Sequence, residues 1–158
     1  FDLMRITREV CETTRVLLGA KPIDVVVESR FPNLPMRSDP VKIKQILTNL
    51  MSNAAKFTEQ GRIAIAVVVA GNRLTLTVTD TGPGIAKEDM DRLFAAFSQV
   101  GDVTTKRHEG TGLGLTITRS LLNLLNGCIT VESRPGQGTA FKVTLPAPFL
   151  THPEGELQ

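Results

Sequence analysis

The stretch "RIAIAVVVAGNRLTLTVTD", from Arg62 to Asp80, gives the clearest indication of the fold. Its two halves are rich in β-branched and apolar residues, and a Gly71-Asn72 turn separates them. The second half alternates apolar residues with polar ones, which is typical of a strand with one buried face. The stretch therefore predicts a β-hairpin that ends in a carboxylate, Asp80.

A second hairpin is predicted near the end of the chain, where "CITVESR" and "TAFKVTLP" flank the turn "PGQG". A further strand, "IDVVVESR", precedes the first hairpin. Helical patterns mark "DLMRITREVCETTRVLL", the segment after Asp39-Pro40, a short "KEDMDRLFAAF" helix and a helix from about Leu113 to Asn126. We expect Asp39 to cap its helix, with Pro40 at the first helical position.

This mixture of hairpins and helices predicts a single α/β domain. We expect a two-layer sandwich, in which helices cover one face of a mixed, mostly antiparallel sheet of about five strands. The domain is expected to span residues 1–146, followed by a C-terminal tail or linker at 147–158.

The composition is that of a globular domain, with 158 residues, 41% hydrophobic and 22% charged. A net charge of +2 and the absence of Trp and Tyr argue against nucleic-acid binding. No apolar run approaches the ~20 residues that span a bilayer, so we expect no direct membrane contact and a cytoplasmic location. Cys11 and Cys128 are interpreted as buried, reduced thiols. Because Phe1 replaces an initiating Met, we interpret the chain as part of a longer protein, whose upstream membrane anchoring stays open.

Three polar residues of the second predicted helix, Asn49, Asn53 and Lys56, fall within about 60° on the flank of its apolar stripe. They are interpreted either as a solvated helix edge or as a magnesium–phosphate site, because Mg²⁺ takes few protein oxygens and leaves the rest to water and phosphate. The stripe expected to face the core consists of Ile43, Ile46, Leu47, Leu50, Ala54 and Phe57.

The segment "DTGPGI" places Asp80 at the end of an apolar strand, with Gly82 and Gly84 after it. A glycine turn after a strand is commonplace. A carboxylate at the end of an apolar strand, however, needs hydrogen-bond donors to offset its desolvation. The exocyclic amino group of adenine would be one such donor, and the glycines would let the ring lie against the backbone.

A third segment, "GTGLGLTI" from Gly110 to Ile117, places alternate glycines at the start of a helix. Either it is a plain glycine-rich turn, or the glycines allow close backbone approach to phosphate, which binds the unpaired N–H groups of a helix N-terminus. The preceding polar stretch, with Lys106 and Arg107, is interpreted as a mobile lid over phosphates or as a solvated surface loop.

Asn53 with Lys56, followed by "DTGPG", "FAAFSQ", "GTGLG" and "GQGTAF", resembles the N, G1, F, G2 and G3 boxes of bacterial sensor histidine kinases. The resemblance runs from Phe1 to Pro146 and places the chain in the GHKL superfamily. It implies a Bergerat fold with ATP and Mg²⁺ as ligands. It also implies γ-phosphoryl transfer to a histidine on an upstream dimerisation domain, for onward transfer to the receiver domain of a response regulator.

The resemblance further implies roles for individual residues. Asn53 would bind Mg²⁺, Lys56 would reach the phosphates and Phe57 would pack beside the adenine. Asp80 would accept from the adenine amino group, and Thr139 would help to hold that end of the pocket through water. The other ATP-binding residues that it implies are Gly82, Gly84, Ile85, Phe94, Lys106, Arg107, Gly110, Thr111, Gly112, Leu113, Gly114 and Leu115. Glu109, where a further glycine is frequent, would stiffen the entry to the lid.

Type II topoisomerases, Hsp90 chaperones and MutL proteins, which share this fold, carry a glutamate general base one helical turn before the magnesium asparagine. Here that position is Asn49, and an amide cannot accept a proton. Transfer to histidine is therefore favoured, with Asn49 orienting the acceptor ring. An ATP-hydrolysing domain and a nucleotide-binding signalling module without activity are the alternatives. Neither His108 nor His152 lies on a long amphipathic helix, so the acceptor is expected outside this chain, which should be monomeric and unable to phosphorylate itself.

Overall fold

The computed structural model describes residues 1–91 and 111–146, with the backbone alone at residues 111–113. The helices that it delimits are α1 (Leu3–Leu18), α2 (Pro40–Phe57) and α3 (Thr111–Leu124). Residues 87–91 are also helical, at the beginning of the predicted "KEDMDRLFAAF" helix. The strands are β1 (Ile23–Glu28), β2 (Gly61–Ala70), β3 (Arg73–Asp80), β4 (Cys128–Arg134) and β5 (Gly138–Pro146).

These strands form one five-stranded sheet in the order β1-β2-β3-β5-β4. The edge strand β1 runs parallel to β2, and every other neighbouring pair is antiparallel. The predicted mixed, mostly antiparallel sheet is therefore confirmed. The last strand along the chain, β5, does not lie at an edge but between β3 and β4.

The helices cover one face of the sheet, as predicted. Along β2, Ile63, Ile65, Val67 and Val69 are buried while Val68 between them is exposed, and β3, β4 and β5 alternate in a similar way. A sheet covered on one face shows this alternation of buried and exposed residues. The core lies between this face and the helices.

Of the two cysteines, Cys11 is buried in α1 as predicted, but Cys128 is exposed, so that prediction was wrong. The reason is the phase of β4, in which Ile129 and Val131 point to the core and Cys128 falls on the opposite face. Burial raises the pKa of the Cys11 thiol, an effect that the nearby Arg15 opposes.

The ends of the helices follow the capping residues of the sequence. Asp39 accepts hydrogen bonds from the backbone N–H groups of Val41 and Lys42, 3.0 and 3.1 Å away, and Pro40 begins α2. The third helix differs from the prediction, because it begins at Thr111 and ends at Leu124. Its N-terminal glycines are therefore inside the first turn rather than ahead of the helix.

The turn-rich segment between β1 and α2 contributes to the core, which its composition did not indicate. Phe31, Leu34 and Met36 are all buried there. The backbone N–H of Leu34 donates to Asp2 Oδ1 at 2.7 Å, so the segment is tied to the start of α1. Within residues 1–91 and 111–146, no helix combines the length and the apolar character needed to cross a membrane.

Candidate functional site

A row of polar side chains closes one end of the apolar sheet face. Asp80 on β3 is paired with Ile63 on β2 and with Thr139 on β5, and Thr139 is paired with Ser133 on β4. Because each of these residues is in the inward phase of its strand, the row lies on the helix-covered face. The neighbouring row toward the middle of the sheet is entirely apolar and buried: Ile65, Val78, Phe141 and Val131.

Asp80 is 8% exposed, and its carboxyl accepts a hydrogen bond from the backbone N–H of Gly82 at 2.8 Å. Burial raises the pKa of this carboxyl, while the backbone N–H groups of Gly82 and Thr139 lower it by a smaller amount. The Thr58 hydroxyl also lowers the pKa of the Asp80 carboxyl. Its position nevertheless does not satisfy the geometric criteria for a hydrogen bond with any described residue. The site thus holds a carboxylate with fewer donors than its burial requires, which suits it to accept from a ligand.

The two glycines after Asp80 are required by the protein's own packing. A Cβ on Gly82 would lie 2.9 Å from Asp80 Oδ1 and 3.1 Å from Thr58 Oγ1. Gly84 has φ +76°, and its Cβ would come closer than 3.0 Å to the carbonyl oxygen of Arg134. We call residues 81–86 the glycine loop; it is pressed against the end of β4 at a distance that a side chain would not allow.

The two asparagines of α2 differ in their surroundings. Asn53 is half-buried, and its Nδ2 is a buried donor without a partner among the described residues. The Asn49 carboxamide is engaged at both ends: Nδ2 lies 3.4 Å from the Gly114 carbonyl oxygen and 3.3 Å from Thr118 Oγ1, and Oδ1 accepts from Gln45 at 2.9 Å. Asn49 therefore ties α2 to the first turn of α3, whereas the Asn53 carboxamide nitrogen remains available to a ligand.

The C-terminal end of α2 is fixed by a lysine that precedes β1. Lys21 Nζ donates to the carbonyl oxygens of Ala55 and Thr58 at 3.1 and 3.2 Å, and so satisfies acceptors that a helix end leaves unpaired. Lys56 is exposed, with Nζ 5.6 Å from the centre of the Phe57 ring. Phe57 itself is half-buried rather than a full member of the core stripe.

The predicted phosphate segment is described from its helical part onward. The carbonyl of Gly114 accepts from Asn49, and a Cβ on Gly114 would meet no described atom within 4 Å. Leu115 is fully buried in the core, so its side chain packs between helix and sheet. The backbone alone is described at Thr111, Gly112 and Leu113. Four predicted contacts lie outside the described residues: Phe94, Lys106, Arg107 and Gly110.

Sequence reasoning missed three residues that support the site: Ser133, Thr58 and Lys21. Ser133 had a detectable signal, because it is the last inward position of a strand with buried Ile129 and Val131. Thr58 and Lys21 had none, since their contacts depend on how α2, β1 and β3 come together.

The described residues offer no enclosed metal site, so a magnesium ion here would have to share its ligands with water and a phosphate substrate. Among residues 1–91 and 111–146, no group of three or more His, Cys, Asp or Glu side chains could enclose a metal. One half-buried carboxamide, that of Asn53, is not committed to the protein through its nitrogen. Mg²⁺ commonly takes one or two protein oxygens and completes its shell with water and phosphate.

The matches to known proteins agree on one family. Residues 38–148 match the family model described as histidine kinase-, DNA gyrase B-, and HSP90-like ATPase. The chain is 38% identical to the autoinducer 2 sensor kinase/phosphatase LuxQ of Vibrio cholerae over 162 residues, which cover 98% of this chain and 19% of LuxQ. It is 40% identical to the sensor histidine kinase RcsC of Escherichia coli over 125 residues, or 78% of this chain and 13% of RcsC. The chain thus spans less than a fifth of these relatives.

Solved structures share the fold. Full-length ShkA in complex with AMPPNP superposes with a TM-score of 0.81 at 32% identity, covering 97% of this chain and 32% of ShkA. A nucleotide-free form of the catalytic domain of the histidine kinase ThkA gives a TM-score of 0.78 at 32% identity, covering 92% of this chain and 93% of that one. The expected fold, that of histidine kinase catalytic domains, is confirmed.

Proposed function

Because this chain belongs to the family of histidine kinase-, DNA gyrase B-, and HSP90-like ATPases, with sensor histidine kinases among its relatives, we propose that it binds ATP with Mg²⁺ and donates the γ-phosphoryl group to a histidine. The acceptor histidine would lie on an upstream dimerisation domain. The observation that carries the proposal is the buried, donor-poor Asp80 carboxylate at the polar end of the sheet. The similarity of this chain to ShkA, whose structure was solved with AMPPNP, supports a nucleotide as the ligand.

Recognition of the base is assigned to Asp80 and its surroundings. The carboxylate can accept from the exocyclic amino group of adenine, whereas guanine presents a carbonyl oxygen in that place. Thr139, next to Asp80 in the polar row, would contribute through water, and Phe57 would flank the ring. Gly82, Gly84 and Ile85 would form the backbone side of the pocket.

The triphosphate end is assigned to α2 and to the start of α3. The Asn53 oxygen would hold Mg²⁺, which when bound neutralises charge on the phosphates. Lys56, exposed at the end of α2, would reach the same phosphates. The first backbone N–H groups of α3 would point toward them, with Gly112 and Gly114 offering no side chain to block approach. The contacts predicted for Phe94, Lys106, Arg107 and Gly110, which lie outside the described residues, stay predictions.

Transfer to histidine is favoured over hydrolysis by the chemistry of Asn49. Its amide cannot take a proton from water, and its contacts with α3 suit it to organise the site where the acceptor ring would arrive. A neutral imidazole is already nucleophilic near pH 7 and needs no general base. Further proposed partners are the acceptor domain and the receiver domain of a response regulator, with this domain itself cytoplasmic and monomeric.

Replacing Asn53 by Ala is expected to lower phosphotransfer by about tenfold or more, because the metal loses its protein oxygen. The protein would be extended upstream through the segment with the acceptor histidine and given Mg²⁺ and γ-labelled ATP. Protein-bound label that is labile in acid and stable in alkali identifies phosphohistidine. We expect such label in the unmutated protein and little in the Asn53→Ala variant.

A suitable control is Asn123→Ala, which removes an exposed asparagine near the C-terminal end of α3, far along the helix from its first turn, and should leave labelling unchanged. Rapid release of phosphate without protein label would replace the proposal with the hydrolase alternative. Nucleotide binding without either product, even with an activating signal supplied, would support a signalling module without activity.

A further inference from the structure

The Ser133 hydroxyl joins three separate parts of the site. Its oxygen accepts from the backbone N–H of Ile85 at 2.7 Å, and its O–H donates to the carbonyl oxygen of Gly138 at 2.9 Å. It also lies 2.8 Å from Thr139 Oγ1, where either hydroxyl could donate. One side chain thus links the glycine loop, the first residue of β5 and the threonine beside Asp80.

These contacts lie where two backbone segments are already pressed together. The N–H of Gly136 donates to the carbonyl oxygen of Pro83 at 2.6 Å, and Gly84 leaves no room for a Cβ against Arg134. These contacts hold the first half of the glycine loop, Pro83 and Gly84, against the end of β4 and the turn that follows it. Ser133 holds the second half of the loop, because its hydroxyl accepts from Ile85 and so ties that residue to β4. Removal of the hydroxyl would leave a part-buried N–H without this acceptor.

The hydroxyl also constrains the proton of Thr139. Ser133 has one proton and two acceptors within reach. If that proton goes to the Gly138 carbonyl, the Thr139 hydroxyl donates to Ser133. If it goes to Thr139, the Thr139 hydroxyl accepts from Ser133 and its own proton is left for another acceptor. In both arrangements Ser133 restricts the rotation of the hydroxyl of Thr139, the residue that is paired with Asp80 across β5 and β3.

We propose that Ser133 is a positioning residue for the base end of the nucleotide site, which acts by holding Ile85 and by orienting the Thr139 hydroxyl beside Asp80. This inference rests on the proposed function, since it presumes that a purine binds against the glycine loop. Ser133 contacts Ile85 and Thr139, which are assigned to the base end of the site, and it would not contact the phosphates. Its loss should therefore weaken every adenine nucleotide alike, whatever the number of phosphates.

The test is a Ser133→Ala variant of this chain, titrated by calorimetry with ATP and with ADP in the presence of Mg²⁺. We expect affinity for both nucleotides to fall by the same factor, about tenfold, as for the loss of one buried hydrogen bond. A Ser133→Thr variant, which restores the hydroxyl, should recover most of the affinity. Thr130→Ala is the control, because it removes a hydroxyl from the same strand on the exposed face.

Thermal unfolding of each variant separates positioning from simple loss of the fold. Unchanged affinity in Ser133→Ala, or failure of Ser133→Thr to restore it, would overturn the inference. A loss confined to ATP would also overturn it, because the effect would then be at the phosphate end. If the unmutated chain bound neither nucleotide, the proposed function itself would fail, and the two failures are thus distinguished.

Discussion

An Asp80→Asn variant is expected to bind ATP about 100-fold more weakly than the unmutated chain while unfolding at a higher temperature. The affinity falls because the amide substitutes a donor for one carboxylate oxygen and removes the charge that strengthens an accepted hydrogen bond. A charged hydrogen bond in a buried site contributes about 1.5–3 kcal/mol, which corresponds to one to two powers of ten in affinity.

The gain in thermal stability has a separate cause. Burial raises the pKa of the Asp80 carboxyl above its unfolded value, so the ionised form destabilises the folded state at neutral pH. That penalty is complete above the folded pKa, shrinks as the pH falls below it because the folded state then binds the proton, and is gone below the unfolded pKa. The neutral amide never carries the penalty. An increase of about 2–4 °C would match a 1 kcal/mol effect in a domain of this size.

Thermal melts from neutral to mildly acidic pH, together with calorimetry at neutral pH, measure both effects. The difference in melting temperature between Asp80→Asn and the unmutated chain should shrink as the pH is lowered. Asp24→Asn, at an exposed position on β1, serves as the control and should show neither effect. Stronger or equal ATP binding by Asp80→Asn would remove Asp80 from base recognition.

A Gly138→Ala variant is expected to lose about 3–5 kcal/mol of unfolding free energy. Gly138 has φ +87°, which an alanine adopts only with strain, and its Cβ would come closer than 3.0 Å to the carbonyl oxygen of Asp80. The obstruction is backbone, so it cannot be relieved by rotation of a side chain. The chain must separate β5 from β3 at the residue that carries the carboxylate, and nucleotide binding should be lost in the folded fraction as well.

Gly136→Ala provides a matched comparison within the same turn. Gly136 has φ +80°, close to that of Gly138, but a Cβ there would meet nothing within 4 Å. It should therefore cost only the backbone strain, about 1–2 kcal/mol. Urea unfolding of both variants measures the difference. Equal losses would show that strand separation at Asp80 contributes nothing to the cost.

Most of the fold follows from local patterns in the sequence. The hairpin β2–β3 was predicted from alternation and its Gly71-Asn72 turn, and the start of α2 from Asp39 and Pro40. The half of the candidate site that these elements present directly, Asp80 with Asn53, could be predicted for the same reason, and its roles stay predictions. Each side chain has a position fixed by the phase of a single strand or helix.

What was missed depends on contacts between elements distant in sequence. The close approach of Gly84 to Arg134 and the bond from Ile85 to Ser133 are set by the pairing of β5 between β3 and β4, which no local pattern encodes. The exposure of Cys128 is different, because correct phasing of β4 from Ile129 and Val131 would have placed it outside. The capping of α2 by Lys21 likewise required knowing that β1 pairs with β2.

The position of β5 between β3 and β4 also determines the order in which this domain can fold. Every sheet contact of β4 is made through β5, and β3 lacks its second neighbour until Gly138–Pro146 arrives. A chain emerging during synthesis therefore carries unpaired strand edges, which favour association between molecules, until its last strand is available. Since Thr139 completes the polar row, a nucleotide could assist only the final step of folding and could not act as a template for the earlier ones.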